Sequence, residues 1–230
     1  MWALFHKSFI TNKGYLDVLK GLGNTFIIAI LGLVIGVVIG VVIAAIKVYP
    51  SKSKFSAVLR GIAEVYVTVL RGTPIVVQLL IMFYVFLPAI GIAANNVVVA
   101  IIAFGFNSGA YVSENIRSGI NSVDAGQMEA ARSLGFGYAR SMWHVVLPQA
   151  FKNIVPTLGN ELIVLIKETS VVSFIAVTDV TRAFNSIATA NYEYVVPYLM
   201  LALVYLVIVV GFTFVIRAVE RRMKKSDRRS

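Results

Sequence analysis

Beyond Lys152 at its edge, one apolar stretch holds three ionisable residues in its interior. Residues 151–177, FKNIVPTLGNELIVLIKETSVVSFIAV, hold Glu161, Lys167 and Glu168 among valines, leucines and isoleucines. A charge at the centre of a hydrocarbon span costs about 2.5–3.5 kcal/mol on insertion scales, so such groups are candidates for a transport pathway. Glu161 and Glu168 are seven residues apart and share nearly one helix face. Neither has a cation four residues away, and Lys167 has no acid at that spacing. Their partners must come from other helices, a sister subunit, water or cargo. With Thr169 and Ser170, and with Gln78 and Asn107 from neighbouring apolar runs, they offer acceptors for an ammonium and donors for a carboxylate. Those are the needs of an amino acid zwitterion. Taken singly, each group suits a structural ion pair or a place at the membrane boundary equally well.

Other chemistries are excluded more firmly. The chain has no cysteine, which removes disulfides, thiolate catalysis and Cys-based metal sites. Its two histidines, His6 and His144, are far apart in sequence, so no metal site is expected. No G-x-x-x-x-G-K-[ST] loop occurs, so the chain has no usual cradle for nucleotide phosphates. No nucleophile–base arrangement stands out either. The expectation is a non-enzymatic chain without a cofactor of its own.

The elements that must position these residues are membrane helices. Of 230 residues, 58% are hydrophobic and 14% charged, too little polar surface to cover a soluble domain. The apolar residues fall into runs long enough to cross a bilayer. A single all-α membrane domain over residues 1–230 is expected, with spans near 24–46, 58–88, 97–117, 151–177 and 195–217. The first run is longer than a signal-peptide core and is expected to be retained. Gly32, Gly36 and Gly40 form a small-residue stripe along it, suited to close helix packing within the subunit or to a dimer face. The second run is interrupted at Arg71-Gly72-Thr73-Pro74. There Thr73 can N-cap a helix that restarts at Pro74 and runs to about Leu87. That piece is too short to cross alone, so residues 58–70 are expected to supply a preceding half-helix. In the fourth run, Pro156 and Gly159 suit a discontinuous helix. Tyr192, Tyr194 and Tyr198 suit an interfacial belt.

The net charge of +10 does not indicate nucleic acid, because the cations cluster beside the ends of the apolar runs. Fifteen Lys and Arg side chains fall on one face, including Lys52, Arg117, Arg140 and the basic tail, and four on the other. The positive-inside rule then puts the C-terminus and residues 119–150 in the cytoplasm and the N-terminus outside. The tail needs no role beyond anchoring near anionic lipid.

Residues 119–150 are too well punctuated for a passive connector. Asp124 can cap a helix over AGQMEAARSL, with Gln127 at capping-box spacing. Gly135 fits the position just past its end, where a left-handed backbone is needed. Phe136 follows as an apolar knob, and YARSMWHVVL can form a second helix, with Pro148 either ending it or beginning the next. Glu129 and Arg132 can pair at the rim.

The spacing Glu129-Ala130-Ala131, three residues, Gly135, nine residues, Val145-x-Leu147-Pro148 resembles the EAA signature of permease subunits of binding-protein-dependent ABC importers. Val145 stands where isoleucine is usual. RGTPIVVQL, GAYVSENIRSGI, LPQAFKNIVPTLGNELI and KETSVVSFI resemble the polar amino acid branch, with Ser113 where alanine is commoner. The resemblance covers most of the chain. It implies a type I importer permease fold in a bacterial cytoplasmic membrane, with Glu129, Ala130, Ala131, Arg132, Gly135, Phe136, Leu147 and Pro148 docking on a cytoplasmic ATPase. It also implies a second permease subunit, identical or homologous, two ATPase subunits that bind the ATP and magnesium, and an external solute-binding protein. The cargo would be a polar amino acid or another small polar solute. A channel-type protein would use the same spans without needing a capped docking helix.

Overall fold

The computed structural model describes residues 2–51 and 53–227, and no strand occurs among them. Of the cations counted above, Lys52, Arg228 and Arg229 lie outside the described residues, as do the side chains of Lys224 and Lys225. A short α1 (Trp2–His6) leads through a wide turn to α2 (Gly14–Val48). There follow α3 (Lys54–Gly72), α4 (Ile75–Ala89) and α5 (Asn96–Asn121). Next come α6 (Ala125–Ser133), α7 (Tyr138–Ser141) and α8 (Leu147–Glu168). The last two are α9 (Val180–Asn191) and α10 (Val195–Asp227). By length and composition, three described helices can cross a membrane: α2, α5 and the Val195–Met223 part of α10. The α3–α4 pair would make a fourth if counted as one span, but it is bent by 109°. Helix α8, expected as a span, is too polar to qualify alone. It packs among α2, α5 and α10, so its polar residues need not face lipid.

The central pair is α2 against α5, and glycine sets their distance. A Cβ at Gly36 would lie 2.6 Å from Ser108 Oγ, and one at Gly40 2.6 Å from Val112 Cγ1. The fit is reciprocal: a Cβ at Gly105 would lie 2.5 Å from Ile35 Cγ2. The stripe is thus occupied inside the subunit, where missing side chains let two backbones approach. Ile28, Leu79, Phe104, Leu165, Ile166 and Ile175 close the core around this pair.

The break between α3 and α4 lies in the expected tetrapeptide, with different capping. Helix α3 ends at Gly72, Thr73 and Pro74 are both extended, and α4 starts at Ile75. Pro74 disfavours helical backbone at Thr73. The Thr73 hydroxyl turns back to donate to Val69 O at 2.8 Å, so it closes α3 instead of capping α4.

Two further prolines sit within continuous helical stretches, one of them Pro148 at the start of α8. Pro88 and Pro148 each follow a π-helical turn, Met82–Phe86 and Met142–Val146. A proline cannot donate backward and its ring crowds the carbonyl one turn before it. The wide turn relieves both conflicts, and the helix continues. The stretch Tyr138 to Glu168 is therefore continuous. Pro156 lies inside α8 without interrupting it, and Gly159 serves close packing, since its Cβ would meet Ile216 Cγ1 at 2.8 Å. The discontinuity falls later, where Thr169–Ile175 tightens to a 3₁₀ helix ended by Ala176 at φ +61°.

Candidate functional site

Three polar groupings stand out, beginning with the α3–α4 break. Gln78 Nε2 donates to Leu70 O at 2.8 Å, to Thr73 O at 3.0 Å and to Thr73 Oγ1 at 2.9 Å. It thereby satisfies carbonyls left open at the end of α3. Asn107 Nδ2 donates to Gln78 Oε1 at 3.0 Å and more weakly to Leu70 O at 3.3 Å. On the next residue, Ser108 Oγ donates to Glu161 Oε1 at 3.1 Å. Glu161 is only 7% exposed. Arg71 stacks over the Tyr111 ring at 5.2 Å, one turn along α5. Tyr66 donates to Phe106 O at 2.6 Å and ties α3 to the same stretch. A hollow of about 510 Å³ opens beside the break, edged by Tyr66, Gln78 and Phe106.

Of the expected pathway residues, Gln78, Asn107 and Glu161 are brought together around residues 107–108 of α5. Thr169 is not among them: its hydroxyl donates to Ile166 O at 2.8 Å in the buried core and reaches Thr25 Oγ1 at 3.5 Å. Lys167 is exposed, and Glu168 and Ser170 are half-buried. Glu168 stands two turns of α8 beyond Glu161, about 10 Å along the axis.

A second grouping was not singled out from sequence. Lys47 Nζ lies 2.7 Å from Glu64 Oε2 and 2.6 Å from Glu114 Oε1, and Glu114 Oε2 takes Arg117 at 2.7 Å. The Arg60 guanidinium bonds Ser51 O beside them. These residues line a cavity of about 430 Å³ and join the ends of α2, α3 and α5. The local signals that could have pointed to it are the three-residue spacing of Glu114 and Arg117 and the four-residue spacing of Arg60 and Glu64.

The third is the segment from Asp124 to Pro148. Asp124 Oδ1 accepts from Gly126 N at 2.7 Å and caps α6. Gln127 does not complete a capping box; its Oε1 accepts from Gln149 Nε2 at 3.2 Å. At the other end Gly135 N donates to Arg132 O at 3.0 Å and Phe136 N to Ala131 O at 3.2 Å. Gly135 stands at φ +87°, and the paired bonds make a complete Schellman closure. Leu134 is 79% exposed and Phe136 39%, so Leu134 is the larger apolar projection. Glu129, Ala130 and Arg132 are exposed and Ala131 is buried. Leu147 is half-buried and Pro148 exposed. Glu129 and Arg132 form no ion pair with each other among the described residues. Tyr138 anchors the segment through its hydroxyl, 3.3 Å from Val48 O. Burial, then the neighbouring Tyr49, holds that hydroxyl above its usual pKa range, so it stays a neutral donor.

Residues 32–225 match the family model described as "Binding-protein-dependent transport system inner membrane component". This chain belongs to that family. The arginine transport system permease protein ArtQ of Bacillus subtilis (strain 168) is 45% identical over 72% of this chain and 76% of its own length. A putative glutamine transport system permease, GlnP of Rickettsia typhi, is 40% identical over 73% of this chain and 77% of its own. A crystal structure of an amino acid ABC transporter with histidines superposes with a TM-score of 0.84 at 40% identity, covering 92% of this chain and 96% of that one. The inward-facing MetNI methionine ABC transporter shares the fold at 18% identity with a TM-score of 0.70. The chain is thus a transport-system inner membrane component with an all-helical permease fold. Among the described residues no cluster of His, Asp and Glu could hold a metal ion.

Proposed function

We propose that this permease is the membrane subunit of an ATP-driven importer for polar amino acids. A separate cytoplasmic ATPase grips residues 124–148 and drives the bundle between outward and inward openings. The observation that carries the reading is the closure of α6. It is capped by Asp124 and sealed by Gly135, the α7 that follows is tied to α2 through Tyr138, and Leu134 and Phe136 are left projecting. A stiff element with apolar projections can transmit force, whereas a slack loop cannot. Burying Phe136 in a partner groove would contribute about 1.5–3 kcal/mol. Exposed Glu129 and Arg132 would sit at the rim of that contact.

Cargo would pass beside Glu161, with Gln78 and Asn107 holding the bent wall and Lys167, Glu168 and Ser170 further along. Relatives named for arginine and glutamine favour a polar amino acid. A second permease subunit would close the open hollow, and an external binding protein would deliver the solute.

Co-purification with the ATPase tests the reading. Glu129→Lys is expected to abolish substrate-stimulated ATP hydrolysis while leaving membrane insertion intact. Normal coupling in that variant would refute the docking role.

A further inference from the structure

A groove of about 390 Å³ runs between the end of α2, the end of α5 and the stretch from Tyr138 to Leu147. Val41, Ala44 and Ala45 of α2, Ile120 of α5 and Met142 line it. Ala44 is itself buried, and the small side chain of exposed Ala45, beside exposed Val41, leaves the recess open. In a membrane protein such a space at the lipid boundary takes hydrocarbon. Three aromatic residues with a polar atom each, Tyr49, Tyr138 and Trp143, stand along the groove. Such residues mark the headgroup level. Trp143 is 71% exposed.

We propose that this groove binds an anionic phospholipid, with one acyl chain along Val41 and Ala45 and its headgroup at Arg140. Arg140 is exposed and sits one helical turn before Trp143, beside the aromatic rim. Arg140 forms no ion pair among the described residues, so no carboxylate there competes with a headgroup. A zwitterionic lipid would fill the groove equally well but gain less from the cation. The bound lipid would brace the Tyr138–Leu147 stretch against the bundle at the junction that Tyr138 and Val48 already bond. The inference rests on the reading that residues 119–150 face the cytoplasmic leaflet. It needs no ATPase, so it can fail or stand separately from the coupling role.

The chain contains two tryptophans, Trp2 and Trp143. In the full chain carrying Trp2→Phe, Trp143 is the only indole. The variant is reconstituted in phosphatidylcholine vesicles containing a small fraction of brominated phosphatidylglycerol or, separately, brominated phosphatidylcholine. Saturable quenching should favour the anionic lipid about fivefold, the factor one basic residue supplies near an anionic surface. Arg140→Gln, an exposed substitution, should equalise the two lipids, and Ala45→Phe should remove the saturable component. Equal quenching of the parent by both lipids, or a preference that survives both substitutions, would overturn the proposal.

Discussion

At Gly135 the backbone stands at φ +87°, and both bonds that close α6 depend on that conformation. A side chain there costs about 1–2 kcal/mol from the left-handed clash alone. No atom lies within 4 Å of the position a Cβ would take, so crowding adds nothing. Gly135→Ala should therefore insert and fold, yet loosen the end of α6 and lower substrate-stimulated ATP hydrolysis several-fold. Gly135→Asn, which tolerates the left-handed region better, should recover part of it. Glu161 presents the opposite case, where shape can be kept and charge removed. Glutamine still accepts from Ser108, so Glu161→Gln should leave yield and melting temperature unchanged. A hydrogen bond to a charged group contributes about 1.5–3 kcal/mol, so uptake should fall roughly tenfold or more if Glu161 meets the cargo ammonium. Unchanged uptake in Glu161→Gln would reassign the carboxyl to packing with Ser108.

The α2–α5 pair shows which element-level features sequence can carry. The four-residue glycine period specified a close helix contact, but the partner helix came only with the fold, because Gly105 and Gly109 complete the contact from far along the chain. Gly40→Ala should destabilise by about 1–3 kcal/mol through overpacking, since its Cβ would lie 2.6 Å from Val112 and 3.0 Å from the Ser113 backbone. Gly23→Ala on the same helix meets nothing within 4 Å. It should be neutral or stabilise by about 0.5–1 kcal/mol through lost chain entropy. Thermal unfolding in detergent separates the two. The break at Arg71–Pro74 was also legible, because proline restrains both itself and Thr73. Its 109° angle was not, and neither was the role of Gln78, whose acceptors lie across the bend. The continuity through Pro88 and Pro148 was hidden because a π turn leaves no distinctive residue type. The Lys47–Glu64–Glu114 network was equally hidden, because Lys47 and Glu114 are sixty-seven residues apart.

For the molecule as a whole, orientation links the three polar groupings into one machine. Residues 124–148 can engage an ATP-hydrolysing partner only if they lie where ATP is, and the lipid groove then opens to the cytoplasmic leaflet. The cation asymmetry supports that orientation, and the absence of cysteine gives a clean way to test it. Ala125 on α6 and Ala93 in the turn between α4 and α5 are both exposed, and a cysteine at either adds little volume. With a membrane-impermeant maleimide on intact cells, Ala93→Cys should label and Ala125→Cys should label only after permeabilisation. Inside-out vesicles should reverse the pattern. The two crossings expected from sequence after Ala125, near 151–177 and 195–217, return the basic C-terminal end of α10 to the side of Ala125, so a cysteine at Ala218 should label with it. If Ala125→Cys labels from outside intact cells, the segment cannot be gripped by a cytoplasmic motor, and the capped helix must serve an external partner instead. If Ala125 and Ala218 label from opposite sides, the half-polar α8 does not cross the bilayer. Its embedded Glu161 would then belong to a re-entrant wall, not a spanning one.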